Sequence, residues 1–301
     1  MVNIDKPCFI CGGRSFSVSS KDYMRCIFCG HELNRHCKDQ QFIVGEALSK
    51  DKVCKIGLYD NFKRRLLKRC TIKNDFLLDI GAGSGKFLYH SKRLFKDYMG
   101  IEVTGECVEF ARNCLGLKIE RDISTVNDTI SVATFWHSLE HMPIEYMAQI
   151  LKHINHKSSF DTRIIITVPN NDSLQYLMFR ERFAYYDPAS HVHQFSLYSL
   201  DKLMEKYEFV KQKSFYSFLY AFFGYLQGFI NEIIPIHNYL YYRRKREAVF
   251  GKKGTAILFY DAYNSILGML FLIPALLFCV YDFIYRKRGG VVTACYRKKK
   301  N

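Results

Sequence analysis

Two cysteine pairs carry the first chemical signal. Cys8-Phe-Ile-Cys11 and Cys26-Ile-Phe-Cys29 are each followed by a glycine, Gly12 and Gly30, and fourteen residues separate the pairs. A C-x-x-C-G knuckle puts two thiolates on one tight turn, and two knuckles complete a tetrahedral sulfur site suited to Zn2+. All four positions come from protein, so such a site is closed and structural. This predicts a small zinc ribbon over residues 1–40; four unligated buried cysteines are the bland alternative. His31, His36 and Cys37 lie nearby and are not counted among the ligands. The other cysteines, of eleven in all, are scattered, and the opening MVNIDKPCFICGG has no apolar signal core. A cytosolic, reducing setting is therefore expected, which favours metal ligation over disulfides.

A second signal is the turn DIGAGSGKF. A dinucleotide fingerprint needs glycine where Lys86 stands, and a P-loop needs Ser or Thr where Phe87 stands. What remains is Asp79, Gly81, Gly83 and Gly85 at alternate positions, with Glu102 some twenty residues on, where an acid can accept from both ribose hydroxyls. A glycine turn without a phosphate cradle, followed by a ribose acid, suits a nucleoside cofactor that carries no phosphate.

The elements that must position these residues alternate. Asp60–Arg69 predicts a helix, Phe76–Ile80 a strand, Lys86–Phe95 a helix, Tyr98–Glu102 a strand and Glu106–Cys114 a helix. Leu117–Arg121, Ile130–Trp136 and Arg163–Val168 predict further strands, and Ile144–Ile154 another helix. Apolar runs separated by helices indicate a parallel sheet covered on both faces, with ligands at the carboxyl ends of the strands.

With GIEVTGECVEFARN, RDIS, ATFWHSLEHMP, IIITVPN and HVHQFSLYSLDKLMEKYEF following in order, residues 59–217 and 289–297 resemble the class I S-adenosylmethionine-dependent methyltransferases. The resemblance implies an α/β fold with a doubly wound, seven-stranded Rossmann-like sheet. Phe209–Ser217 would be the sixth strand and Gly289–Lys298 the seventh, lying between the fifth and sixth. It implies S-adenosylmethionine as cofactor. Asp79, Gly81, Gly83 and Gly85 would surround its methionine end and ribose, Glu102 would hold the ribose hydroxyls, Asp122 and Ile123 the adenine edge, and Trp136 and His137 would border it. Methyl transfer from a sulfonium is an in-line displacement, so alignment does most of the work. A hydroxyl acceptor also needs a base poised near neutral pH. His141 and His193 are the candidates, with His191 behind them; His141 could instead cap the helix that follows. Tyr185 and Tyr186 either line the pocket or pack. His153, His156 and His237 are read as surface or structural.

The charge is uneven. Residues 243–301 hold 13 Lys/Arg against 3 Asp/Glu, so they supply +10 of the chain's formal +15. They lie beside two oily stretches, Phe218–Tyr242 and Ile257–Tyr285, which sit between the last two strands. Asn231, Glu232, Pro235 and Pro274 interrupt these stretches. The basic RRKREAVFGKKG between them argues against two spans under the positive-inside tendency. Helices lying in the cytoplasmic leaflet are favoured, with Lys/Arg at anionic headgroups; a two-span hairpin and a helical dimer interface are the alternatives. Residues 218–288 would then be a membrane-associating insertion in a methyltransferase domain of residues 41–217 and 289–301. The function expected is O-methylation of a glycan or lipid-linked substrate at the inner face of the cell membrane. An RNA methyltransferase is a weaker alternative, since basic and aromatic residues do not interleave on one soluble face. A non-catalytic membrane scaffold is the other.

Overall fold

The computed structural model describes residues 2–3, 6–36, 48–239, 255–286 and 288–300. Cys37 and the basic run 243–254 lie outside them. The chain groups into two compact units, residues 1–168, 188–214 and 293–301 in one, and 169–187 and 215–292 in the other.

The first unit begins with four short strands, β1 (Val2–Asn3), β2 (Ser15–Val18), β3 (Tyr23–Cys26) and β4 (Glu32–Asn34). The strands β5 (Phe76–Ile80), β6 (Asp97–Ile101), β7 (Ile119–Glu120), β8 (Ile130–Trp136) and β9 (Ser158–Pro169) follow, then β10 (His193–Gln194), β11 (Phe209–Phe215) and β12 (Val291–Lys298). Among the described residues the α-helices are α1 (Lys50–Cys54), α2 (Leu58–Cys70), α3 (Lys86–Ser91), α4 (Gly105–Leu115), α5 (Ile144–His156), α6 (Leu174–Phe179), α7 (Leu197–Lys206), α8 (Phe218–Ile233), α9 (Thr255–Leu270) and α10 (Leu272–Tyr281).

The large sheet is seven-stranded and mixed, in the order β11-β12-β9-β8-β5-β6-β7, so the last strand of the chain lies between the fifth and sixth of the sheet. β5 pairs in parallel with β6 and β8, and every residue of β5 and of β8 is buried. Strands covered on both faces need continuous apolar runs, which is why FLLDI and ISVATFW are legible as strands. α5 buries Met147, Ile150, Leu151 and Ile154, one stripe at helical spacing. β9 begins at Ser158, earlier than the apolar run, because Ser158 pairs with Ile130 ahead of a register irregularity. β7 is only two residues long; the Asp122 side chain accepts from the Ser124 amide and turns the chain away.

The N-terminal strands form a separate five-stranded sheet in the order β1-β2-β3-β4-β10, whose last strand comes from the other end of the unit. β10 pairs antiparallel with β4, His193 opposite Leu33 and Gln194 opposite Glu32. This pairing joins the cysteine-bearing strands to the segment after residue 188, so residues 1–40 fall within the first unit rather than forming one of their own.

The second unit is helical and takes in residues 169–187 as well as the insertion. Close approaches define it: a Cβ on Gly228 would come within 2.4 Å of the Phe179 ring, and Phe229 stacks on Phe271 at 5.2 Å. Asn231, expected to interrupt an oily span, is an internal fastener. Its carbonyl accepts from the Asn238 backbone N–H at 2.9 Å and the Gln227 amide at 2.8 Å, and its amide donates to Arg182 O at 2.9 Å. α9 and α10 bend by 49° where they meet. Pro274, in the first turn of α10, lacks an N–H and crowds the carbonyl four residues back, which accounts for the break. No single helix among the described residues is long and apolar enough to cross a membrane; this bent pair together meets the length and composition for one.

Asn231→Ala strands those buried donors and acceptors. It is expected to destabilise the second unit by roughly 1–3 kcal/mol, seen as earlier proteolytic cleavage within 215–239 while cofactor affinity holds.

Candidate active site and metal centre

The turn after β5 is shaped by glycines with left-handed backbone, Gly81 at φ 72° and Gly85 at φ 78°. A Cβ on Gly81 would sit 2.4 Å from the Ser138 Cβ, so the turn can pass over the end of β8 only without a side chain. A Cβ on Gly83, by contrast, would meet nothing within 4 Å. The space over Gly83 is open for a ligand that approaches the backbone closely. Beside it the Glu102 carboxylate accepts from the Gly83 amide at 2.8 Å and the Thr104 amide at 2.9 Å. Each oxygen keeps a second lone pair, so the acid is held in place and still able to accept from a diol. A ribose therefore fits the residues present.

Asp79 lies beneath the turn, fully buried, and accepts from the Thr134 hydroxyl at 2.6 Å. Burial pushes its carboxyl up to about 6, against that hydrogen bond and the attraction of Lys63. Asp122 is exposed and engaged with the Ser124 amide, which holds it below the ordinary carboxylate range, while Ile123 is buried. Trp136 packs its ring 5.1 Å from Phe87.

Two side chains that the sequence did not single out join this group. The Lys63 ammonium sits over Tyr59 at 4.5 Å, Trp136 at 5.2 Å and Phe87 at 5.8 Å, a cation on aromatic faces. Tyr146 lies within electrostatic reach of Glu102 and Asp122; burial, then those two acids, push its phenol up to about 12. Lys63 was detectable only as one lysine of a helix, and Tyr146 only as one aromatic of another.

The histidines divide. His137 closes β8 with φ 57°, a left-handed conformation uncommon outside glycine, and its Nδ1 lies 3.2 Å from Glu140 Oε1. Glu140, on the turn Leu139–His141, is fully buried. Burial pushes its carboxyl up, yet the bond to His137 and the attraction of His137, His141 and His191 hold it below the ordinary value. His141 is half-buried and donates from Nδ1 to Ser190 O at 2.9 Å, which leaves the lone pair on Nε2. His191 packs against it with ring centroids 4.7 Å apart. His193 is different. It is fully buried, its Nε2–H donates to Met142 O at 2.9 Å, and its Nδ1 accepts from His31 Nε2 at 3.0 Å. Burial, and then His31, keep it neutral well below the ordinary range. Both nitrogens are occupied, so His193 has none to take an acceptor proton. The remaining side chains of the sequence reading serve packing: Tyr185 donates to Tyr220 O, Tyr186 is buried, and His153 and His237 contact the Val126 and Phe183 carbonyls.

The four knuckle cysteines converge. Cys8 and Cys29 sulfurs are 3.7 Å apart, Cys11 and Cys26 sulfurs 3.6 Å, and all four lie within 4.8 Å of one another. A tetrahedral ion with Zn–S bonds of about 2.3 Å sets its sulfurs about 3.8 Å apart, so the residues present fit it. Gly12 and Gly30 take positive φ after each second cysteine, and their amides return to Cys8 O and Cys26 O. The Cys29 hydrogen bond holds the Cys8 thiol below its ordinary range. His31 faces His193 rather than joining the four.

A family profile described as a methyltransferase domain matches residues 56–213, just over half of the chain and the stretch that holds the glycine turn, Glu102 and the histidines. The chain belongs to that family. It is an S-adenosylmethionine-dependent methyltransferase. No functionally curated protein matches the methyltransferase. Solved structures similar to it include a SAM-dependent methyltransferase from Archaeoglobus fulgidus, 16% identical over 83% of this chain and 97% of that one, TM-score 0.44. Another, from Clostridium acetobutylicum, is 9% identical over 82% and 94%, TM-score 0.46. Coclaurine N-methyltransferase, solved with N-methylheliamine and SAH, is 14% identical over 84% and 75%, TM-score 0.46. Likeness at this level carries no argument about the acceptor.

Two outcomes follow for the methyltransferase. Glu102→Ala removes a charged hydrogen-bond acceptor, roughly 1.5–3 kcal/mol, and is expected to weaken cofactor binding about 10- to 100-fold by calorimetry; unchanged affinity would displace the ribose from this acid. Asp79 supplies a pH signature. With a folded value of about 6 against about 3.9 in the unfolded chain, the folded protein binds the extra proton between those values. Stability from this group is therefore gained as pH falls through 6 and is complete below about 4. Asp79→Asn should abolish that gain in cofactor-free protein, measured as the wild-type-minus-variant unfolding free energy from pH 7 to 4.

Proposed function

We propose that this enzyme O-methylates a glycan or lipid-linked acceptor at the cytoplasmic face of the cell membrane. The observation that carries the proposal is the exposed apolar surface of the second unit. Met269, Leu270, Ile273, Leu277, Ile284 and Tyr285 are each at least half exposed, on a helix pair that holds many other apolar side chains open to solvent. A soluble monomer rarely leaves so many large apolar side chains of neighbouring helical turns uncovered. The bent α9–α10 pair, followed by RKRGG and preceded in sequence by RRKR, has the composition of helices that lie in an interface with cations at anionic headgroups.

The first unit supplies the chemistry. Glu102, the Gly81–Gly85 turn, Asp122 with Ile123, and the border of Trp136 and His137 hold S-adenosylmethionine, and Lys63 receives its carboxylate. The cofactor brings a sulfonium methyl. The chain aligns an acceptor hydroxyl with that methyl, and His141, whose Nε2 lone pair is held available by the Nδ1 bond to Ser190, faces the acceptor proton. The four cysteines hold a structural zinc that fixes the N-terminal ribbon.

Flotation with vesicles tests the membrane reading. The full chain is expected to rise with vesicles containing anionic phospholipid and to stay down in high salt with neutral ones. Changing Ile273, Leu277 and Ile284 together to Ser should lower vesicle partitioning by at least about 10-fold, from burial of roughly 1.5–3 kcal/mol per side chain, with cofactor affinity unchanged. A wild-type chain that never floats would sink the proposal.

A further inference from the structure

We infer that Glu140, His141 and His191 bind a divalent transition-metal ion, separate from the four-cysteine centre, with a coordination position left open to oxygen. One ligand atom from each of the three residues lies within 4.8 Å of the others. Two imidazoles and a carboxylate are the donor set of open Zn2+ and Fe2+ sites, whereas closed structural sites use four protein ligands. A tetrahedral ion would draw such donors to roughly 3.4 Å, a contraction of at most about 1.4 Å for side chains on two adjoining turns.

Three independent features point to an ion. Glu140 is 1% exposed, and its Oε2 has no hydrogen-bond partner. A buried carboxylate oxygen without a partner is costly, and a cation supplies what is missing. The other oxygen is engaged by His137 Nδ1 at 3.2 Å, which orients the carboxylate as an outer partner does for a metal ligand. His141 donates Nδ1–H to a backbone carbonyl, the second-sphere bond typical of a ligating imidazole, and presents Nε2. His191 is held by its own backbone: its carbonyl accepts from the Tyr23 hydroxyl at 3.0 Å and the Asn34 amide at 3.1 Å. The Val192 amide, next in the chain, donates to Glu140 O at 2.9 Å, so the two turns that carry the ligands are fastened together. The donors are therefore pre-positioned, and half-buried His141 gives the site its access to solvent.

The inference rests on the reading of this site as the acceptor side of the methyltransferase and revises the role given to His141 there. With an ion bound, His141 Nε2 is a ligand rather than a base. An ion there would hold an acceptor hydroxyl oxygen at its open position and make that hydroxyl more acidic, so that its proton would leave to solvent water as the oxygen takes the methyl.

The test is metal stoichiometry on the full chain, stripped with chelator under reducing conditions and titrated with Zn2+ and then, separately, Co2+. Wild type is expected to take two ions per chain. One should give intense thiolate-to-cobalt charge-transfer absorption, and the other only weak ligand-field bands. Glu140→Gln and His191→Ala should each take one ion, the thiolate-bound one, and keep cofactor affinity. Saturation of wild type at a single thiolate-bound ion would overturn the inference, as would variants that still take two. If a variant loses its fold, the cobalt spectrum of wild type decides alone, because a second equivalent without new thiolate absorption is required there. Vesicle flotation involves neither ion, so the membrane reading and this one fail separately.

Discussion

The turn after β5 can pass the end of β8 only because residue 81 has no side chain. The turn after β5 runs so close to Ser138 that a Cβ on Gly81 would lie 2.4 Å from the serine Cβ. The Ser138 hydroxyl uses that proximity and donates to Ile80 O at 2.7 Å. One close approach thus locks two functional turns together. On one side are the glycine turn and, through the Gly83 amide, Glu102; on the other are His137, Glu140 and His141. Alignment of a donor methyl with an acceptor atom tolerates little error, and here the two turns are joined by one short serine side chain bonded to backbone.

A second set of bonds fixes the loop that supplies His191. The pairing of β4 with β10, the Asn34 amide bonded to Val192 O at 2.9 Å, and the Tyr23 hydroxyl on His191 O all come from the cysteine-bearing N-terminal strands. His31 and His193 continue this link, from beside Cys8 to the Met142 carbonyl, next to His141. The cysteine-bearing strands thereby hold the histidine turn in position.

Much of this was legible in the sequence, for identifiable reasons. Phe76–Ile80 and Ile130–Trp136 are central strands, where burial on both faces forces an uninterrupted apolar run. The glycine turn and Glu102 are short-range features, fixed by spacing along one strand–helix–strand unit. β7 was expected from Leu117 to Arg121 and is shorter, because a local side-chain cap at Asp122 outcompetes edge pairing. His193 looked like a base by residue type; the pairing of β10 with β4, a long-range event, buries it. Lys63 and Tyr146 acquire their settings only through tertiary packing, and no spacing in the sequence marks them; Glu140 lies in the run ATFWHSLEHMP, but its burial is tertiary. Asn231 was read as polar punctuation in an oily segment, and it is the hydrogen-bonded centre of a helical turn.

The bond between His31 and His193 joins residues 162 positions apart. Closing a loop of that length comes late, since its entropy cost must be met by contacts that form together. During synthesis the N-terminal knuckles leave the ribosome first, and they can gather their four sulfurs from local contacts alone. The edge strand β4 then waits, unpaired on one side, until β10 has been made. Until β10 has been made, β4 lacks its partner strand, and an open strand edge is a surface on which other chains can pair.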